Sequence, residues 1–215
     1  MRQSRVVFLA LTISLSHAPI TMHALCKKTN LSQVVSHHQP AITSARMINL
    51  TTVEVLRSDT TLLNIDFYGA NIFRMFQDNS GGIIRDPQAS PEAQILVNSP
   101  RRQAGQITLS DKNGTIDIAT NRVRISIDKQ TGLINLIENK VITETTAPVE
   151  FSGKHTKLSL KESPEEYFYG GGVQNGRFSH KGKIIAIENT NNWTDGGVAS
   201  PTPYYWSTNG YGIMW

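Results

Sequence analysis

Gln106-Ile107-Thr108-Leu109-Ser110-Asp111-Lys112-Asn113-Gly114-Thr115-Ile116-Asp117-Ile118 sets the fold class of this chain. Two short runs of alternating polar and apolar residues flank Asn113-Gly114, and alternation with period two puts successive side chains on opposite faces of a strand. Asn-Gly between such runs is a strong hairpin signal, because both residues accept the positive φ that a tight turn demands. The pattern continues downstream: Arg122-Val123-Arg124-Ile125-Ser126-Ile127 alternates charge and hydrophobe, and Asp128-Lys129-Gln130-Thr131-Gly132 turns the chain into Leu133-Ile134-Asn135-Leu136-Ile137. Upstream, Ile48 to Leu56, Thr61 to Tyr68 and Asn71 to Phe76 read as strands. Ile95-Leu96-Val97 is the one strand inside a turn-rich stretch from 78 to 105, and Lys157 to Leu160 and Ile184 to Ile187 add two more. No long run repeats every 3.6 residues. Many short strands separated by Gly, Asn and Pro turns predict an all-β sandwich.

Composition supports a folded chain and removes one class of function. Of the 215 residues, 39% are hydrophobic and 18% charged, enough apolar material for a core and too little charge for a disordered tail. Lys and Arg number 21 against 17 acids, and outside Lys27-Lys28 and Arg101-Arg102 the positive charges are dispersed. Nucleic acid binding requires a clustered field to neutralise phosphates, so it is set aside.

The N-terminus reads as an export signal. Arg2 and Arg5 precede the short apolar run from Val6 to Leu15, which is too short for a membrane span of roughly 20 residues. The expected organisation is a signal peptide over 1–24, a polar linker over 25–45 and one β domain over 46–215. Secretion or periplasmic delivery follows from the first segment. Cys26 is the only cysteine, so no internal disulfide forms; Leu25 before it argues against lipid anchoring, while its closeness to the export signal keeps that anchoring open. His37-His38 has no second ligand pair nearby, and no metal or cofactor is expected. Acceptor triplets for N-glycosylation stand at Asn30, Asn49, Asn113 and Asn192.

The last fifty residues carry a different composition. Tyr167-Phe168-Tyr169-Gly170-Gly171-Gly172-Val173-Gln174-Asn175-Gly176-Arg177 is followed by Asn189-Thr190-Asn191-Asn192-Trp193-Thr194-Asp195-Gly196-Gly197, then by Ser200 to Gly212. Aromatics, amides and glycines dominate. Sugar sites use those groups, stacking C–H faces on rings and bonding hydroxyls through Asn, Asp and Arg; a Gly-rich loop packed by its own aromatics has the same composition. Gly170-Gly171-Gly172 is not a dinucleotide fingerprint, since the spacing is wrong and no βαβ unit surrounds it. His180 has no acid or nucleophile beside it in sequence and reads as a surface turn residue. Glu165-Glu166 reads as a solvated pair at a strand entrance.

Three of these runs together resemble the N-terminal domains of glycoside hydrolase family 31: Phe168 to Gly172, Asn189 to Asp195, and Pro203-Tyr204-Tyr205-Trp206-Ser207-Thr208-Asn209-Gly210-Tyr211-Gly212. In that family they occur in this order just before the catalytic barrel, and the Asp128-to-Leu133 turn is similar to a further passage. The wording over 169–212 is most similar to a subgroup with α-glucosyl- and isomaltosyl-transferring enzymes and some α-galactosidases. The resemblance implies a β-sandwich of the galactose-mutarotase-like kind and a parent that is a retaining α-glycosidase or transglycosylase acting on α-linked oligo- or polysaccharide. Such enzymes use two carboxyl groups roughly 5 Å apart, both on the barrel. Trp193-Thr194-Asp195 resembles the family's nucleophile pattern but continues as Gly196-Gly197-Val198, so no catalytic residue is expected here. Asp195 instead matches a loop acid that reaches over the barrel mouth, with Trp193 and Asn192 as neighbouring substrate contacts; an Asp bonding its own turn fits the sequence equally well. The chain stops on the apolar run Gly212-Ile213-Met214-Trp215, which is read as truncation before the barrel. The expectation is an N-terminal domain, inactive alone, that braces a C-terminal barrel of the same polypeptide. A stand-alone carbohydrate-binding sandwich and a purely structural module are the alternatives.

Overall fold

The computed structural model describes residues 7–11, 40–77, 104–152, 155–174, 176, 178–188, 192–194 and 197–215. Among them there is no helix and there are fifteen strands. The first, β1, is Val7–Leu11, inside the apolar run read as an export signal. The remaining described residues fall into two compact units, essentially 40–161 and 162–215.

In the first unit, β2 (Ile42–Met47), β3 (Thr52–Arg57), β4 (Leu62–Gly69) and β5 (Ile72–Phe76) pair antiparallel in sequence order. A second antiparallel meander joins β6 (Thr108–Lys112), β7 (Thr115–Ala119), β8 (Arg124–Asp128), β9 (Ile134–Glu138) and β10 (Lys140–Glu144). A small ribbon, β11 (Glu150–Ser152) with β12 (His155–Lys157), follows. The two meanders face each other: Phe73 and Met75 of β5 line one narrow apolar groove with Ile125 of β8 and Ile134 and Leu136 of β9. Ile116, Ile118, Ile125 and Ile127 are all fully buried, each contributing about 1.5–3 kcal/mol relative to exposure. These are the alternate positions that the sequence pattern assigns to one face.

The turns explain where strands begin and end. Lys112 pairs with Thr115 across Asn113 and Gly114, whose φ values are 53° and 78°, the two-residue turn expected from Asn-Gly. At the next corner the Asp128 carboxylate accepts hydrogen bonds from Gln130 N, Thr131 N and Thr131 Oγ1 at 3.0, 2.7 and 2.7 Å. The hydrogen bonds from Thr131, side chain first and then backbone, hold this carboxyl below its ordinary value of 3.8. A depressed folded-state value means stabilisation that is present above 3.8 and lost as pH falls through the lower folded value. Asp128→Ala is therefore expected to cost about 1 kcal/mol or less at neutral pH, and urea titrations should show that gap closing on acidification below pH 4.

Four segments differ from the sequence pattern. The strand expected over Ile48–Leu56 starts only at Thr52, because the Asn49 side chain accepts from Thr51 N and Thr52 N, both at 2.9 Å, and closes a turn. The chain is already in β2 from Ile42, within the stretch read as linker. Ile184 to Ile187 alternates but joins no ladder: Ile185 is buried beside Gly171 while Ile184 is half exposed. Of Lys157 to Leu160, Lys157 closes β12 and Leu160 makes a single bridge to Thr145. The Ile95-Leu96-Val97 strand, His37-His38 and Cys26 lie outside the described residues.

Candidate functional site

The second unit is built on β13 (Phe168–Gln174), β14 (Val198–Ser207) and β15 (Tyr211–Met214), paired antiparallel. The three-glycine run lies in β13, and its role is backbone approach. Gly170, Gly171 and Gly172 have φ of 114°, 76° and 79°, and the register with β14 shifts between Gly170 and Gly172. A Cβ on Gly170 would stand 2.5 Å from Tyr204 O, and one on Gly172 only 2.1 Å from Ser200 O. Only glycine supplies both the left-handed conformation and the missing atom.

His180 supports this bulged strand from the side. It is 6% exposed, not a surface turn residue as its sequence setting suggested. Its backbone N–H donates to Phe168 O at 2.8 Å, and its Nε2 lies 2.7 Å from Gly170 O. A carbonyl only accepts, so Nε2 carries the proton. With its ring against the strand's own backbone, His180 is a structural brace. Glu166 departs further from expectation. Glu165 is exposed, but Glu166 is completely buried rather than solvated. Its Oε1 accepts from Ser207 Oγ and from Tyr211 OH at 2.8 Å, and its Oε2 accepts from Ser163 N at 3.1 Å. Burial first, and then the Glu166 charge, pushes the Tyr205 phenol well above its usual range. Glu166 thus fastens the entrance of β13 to the end of β14 and the start of β15.

The loop that precedes β14 carries the sequence candidates. Asn192 Oδ1 accepts from Thr194 N at 3.0 Å and Thr194 Oγ1 at 2.6 Å, and Gly197 N donates to Thr194 O at 2.9 Å. A Cβ at Gly197 would meet Asn192 Cγ at 2.7 Å, so the glycine lets the Asn side chain close the loop. Asn192 therefore shapes the loop with its oxygen. Trp193, next to it, is 69% exposed at the loop surface. Asp195 lies outside the described residues.

A group that the sequence did not single out sits on one face of the strands. Tyr169 and Trp206 are cross-strand partners, their rings stacked at 4.6 Å and 27°, and Phe178 meets Tyr169 edge-on at 5.6 Å. The signal was present, since both partners lie in motif runs, but their pairing depends on a register that the bulges set.

Among the described residues no three His, Cys, Asp or Glu side chains cluster as a metal site. The two fully buried carboxylates both have structural partners. Asp66 accepts from Thr52 Oγ1 at 3.0 Å and lies 3.4 Å from Arg74 Nη2, and Glu166 has the three donors named above. What the second unit offers chemically is aromatic faces, amides and hydroxyls.

Comparison with known proteins places these features. The chain is similar over 81% of its length to a mutant dextranase of glycoside hydrolase family 31 from Flavobacterium johnsoniae complexed with isomaltotriose, with a TM-score of 0.64 and 13% identity. It is similar over 81% to a cycloalternan-forming enzyme from Listeria monocytogenes in complex with a pentasaccharide substrate, at 0.61 and 16%. A family 31 α-xylosidase from Xanthomonas citri matches over 83%, at 0.54 and 18%. At these identities the likeness is one of fold. The chain spans 22%, 17% and 18% of those three proteins respectively. No curated protein matches. Residues 62–215 match the family described as the glycosyl hydrolase 31 N-terminal galactose mutarotase-like domain, so this all-β chain belongs to that family.

Proposed function

We propose that this chain is the N-terminal domain of an exported α-glycosidase or α-glucosyl-transferring enzyme, bracing a C-terminal barrel that carries the catalytic acids. The family match over residues 62–215 carries the reading. Its fold neighbours, of which the chain covers about a fifth, include proteins complexed with isomaltotriose and with a pentasaccharide substrate, which favours an α-linked oligosaccharide as ligand of the parent. Within this reading the 192–195 loop is the rim contact. Asn192 folds the loop, Trp193 offers an exposed ring, and Asp195 bonds substrate hydroxyls. Arg2, Arg5 and the apolar run behind them deliver the protein out of the cytoplasm. The parent is an α-glucosidase, an α-glucosyl or isomaltosyl transferase, or an α-galactosidase.

The isolated 215-residue chain is expected to show no turnover of chromogenic α-glucosides. The reading frame beyond the Trp215 codon should encode a barrel with two carboxylates spaced for retention. In that longer protein, Asp195→Ala should raise KM for isomalto-oligosaccharides about tenfold or more while leaving the fold intact. A stop codon directly after Trp215 would sink the barrel assignment and leave a stand-alone carbohydrate-binding sandwich. Cell fractionation with N-terminal sequencing checks export; a chain still starting at Met1 and retained inside the cell would contradict it.

A further inference from the structure

The sheet β13–β15 has two unlike faces. One carries Tyr205, Ser207, Tyr211 and Ile213, and its Ser207, Tyr211 and Ile213 are buried. The other carries Tyr169, Trp206, Tyr204 and Met214, with Phe178 leaning on Tyr169. On this second face Phe178 is 87% exposed, Met214 48% and Trp206 40%. No residue of the three strands is charged. The other exposed strands of the chain differ: Asp111 and Lys112 on β6, Arg124 on β8 and Lys140 on β10 keep charge at the surface. Leaving large rings in water forfeits hydrophobic stabilisation, and a contiguous patch of them marks a surface made for contact.

The detailed geometry narrows the contact. Trp206 has Tyr169 stacked on one side and Gly212 as its cross-strand partner on the other. Gly212 brings no side chain, and the Tyr204 ring lies across it, since a Cβ there would stand 2.7 Å from Tyr204 Oη and 3.0 Å from Cε2. The result is a step with the Trp206 ring as wall and the Tyr204 ring and hydroxyl as floor. Burial pushes the Tyr204 hydroxyl upward from its ordinary value, so it stays protonated and uncharged. A ring wall, a flat aromatic floor and a neutral hydroxyl, with no charge on the strands around them, fit a neutral pyranose. Its C–H face stacks on the indole, beside the Tyr204 ring.

We propose that the Trp206–Tyr169–Phe178 face, centred on the step over Gly212, binds a neutral sugar ring as a site separate from the 192–195 loop. The ligand class rests on the function proposed above; the position rests on the strand geometry alone.

The test is titration of the 215-residue chain with isomaltotriose and, in parallel, maltotriose, followed by indole fluorescence and by NMR of the Trp side chains. The expected result is saturable binding in the range of about 1 mM, with the Trp206 indole shifting. Phe178→Ala, at a solvent-exposed position that should not disturb folding, should weaken binding about threefold to tenfold. Trp206→Ala should abolish it, and Trp206→Phe should restore part of it. Asp195→Ala and Trp193→Ala, which act at the separate loop, should leave the Trp206 indole shift in place. Binding that disappears in the two loop variants but survives Trp206→Ala and Phe178→Ala would overturn the proposal and leave the loop reading standing. Absence of binding to either sugar up to about 50 mM, or self-association by sedimentation that Trp206→Ala removes, would overturn it too, the latter assigning the face to a second copy of the chain.

Discussion

Replacing Glu166 with alanine is expected to destabilise the chain by about 3 kcal/mol or more, enough to leave the second unit unfolded in mild denaturant. The carboxylate is fully buried and takes hydrogen bonds from Ser207, Tyr211 and the Ser163 amide, three donors on three separate segments. Alanine would leave the buried Ser207 and Tyr211 hydroxyls without this acceptor, and each buried donor that loses its acceptor costs roughly 1–3 kcal/mol. Glu166→Gln tests the same node more gently. One amide oxygen still accepts, but the NH2 group then faces another donor, so an intermediate loss is expected. Glu165→Ala, one residue away and exposed, should stay within about 0.5 kcal/mol of the parent chain. Chemical denaturation read by tryptophan fluorescence separates the three. Equal midpoints for Glu165→Ala and Glu166→Ala would show that the buried network is not what fastens these strands.

Gly172→Ala should be comparably severe for a different reason. The residue has φ of 79°, which costs an L side chain about 1–2 kcal/mol before any contact is counted. The new methyl would then stand 2.1 Å from Ser200 O and 2.6 Å from Thr202 N, both backbone atoms that no rotamer change can move aside. β13 and β14 would have to separate, for a loss of about 4 kcal/mol or more. Gly182→Ala is the matched control: its φ is 65° but nothing lies within 4 Å, so about 1 kcal/mol is expected. Near-equal stabilities of the two variants would mean that the strands tolerate a wider spacing at Gly172.

Much of the fold was legible because its determinants are local. Asn113-Gly114 names its turn, Asp128 and Thr131 build theirs within four residues, and isoleucines two apart in β7 and β8 announce a buried face. The sites were less legible because they depend on distant partners. Nothing in the sequence distinguishes Glu165 from Glu166; the difference arises when Ser207 and Tyr211, over forty residues downstream, arrive beside one of them. His180 is likewise defined by the carbonyls of Phe168 and Gly170, groups that every residue possesses. Tyr169 and Trp206 stand in recognisable motifs, yet their stacking follows from a register displaced by bulges, which no periodic pattern encodes. Ile184 to Ile187 shows the converse failure, since alternation that joins no ladder makes no strand.

The order of strands in the five-stranded meander also bears on how the polypeptide is made. Every pair in β6 to β10 joins neighbours in sequence, so each hairpin can close as soon as its second strand has left the ribosome. β13 also pairs with the next strand in sequence, but across a longer connection: β14 begins at Val198, more than twenty residues after Gln174. During synthesis the uncharged glycine-rich strand therefore leaves the ribosome unpaired and stays so until the loop that carries Trp193 and then β14 have followed it out. A nascent chain with β13 outside the ribosome and β14 still inside it would present a finished meander and an unpaired β13, the stage at which a chaperone has most to shield.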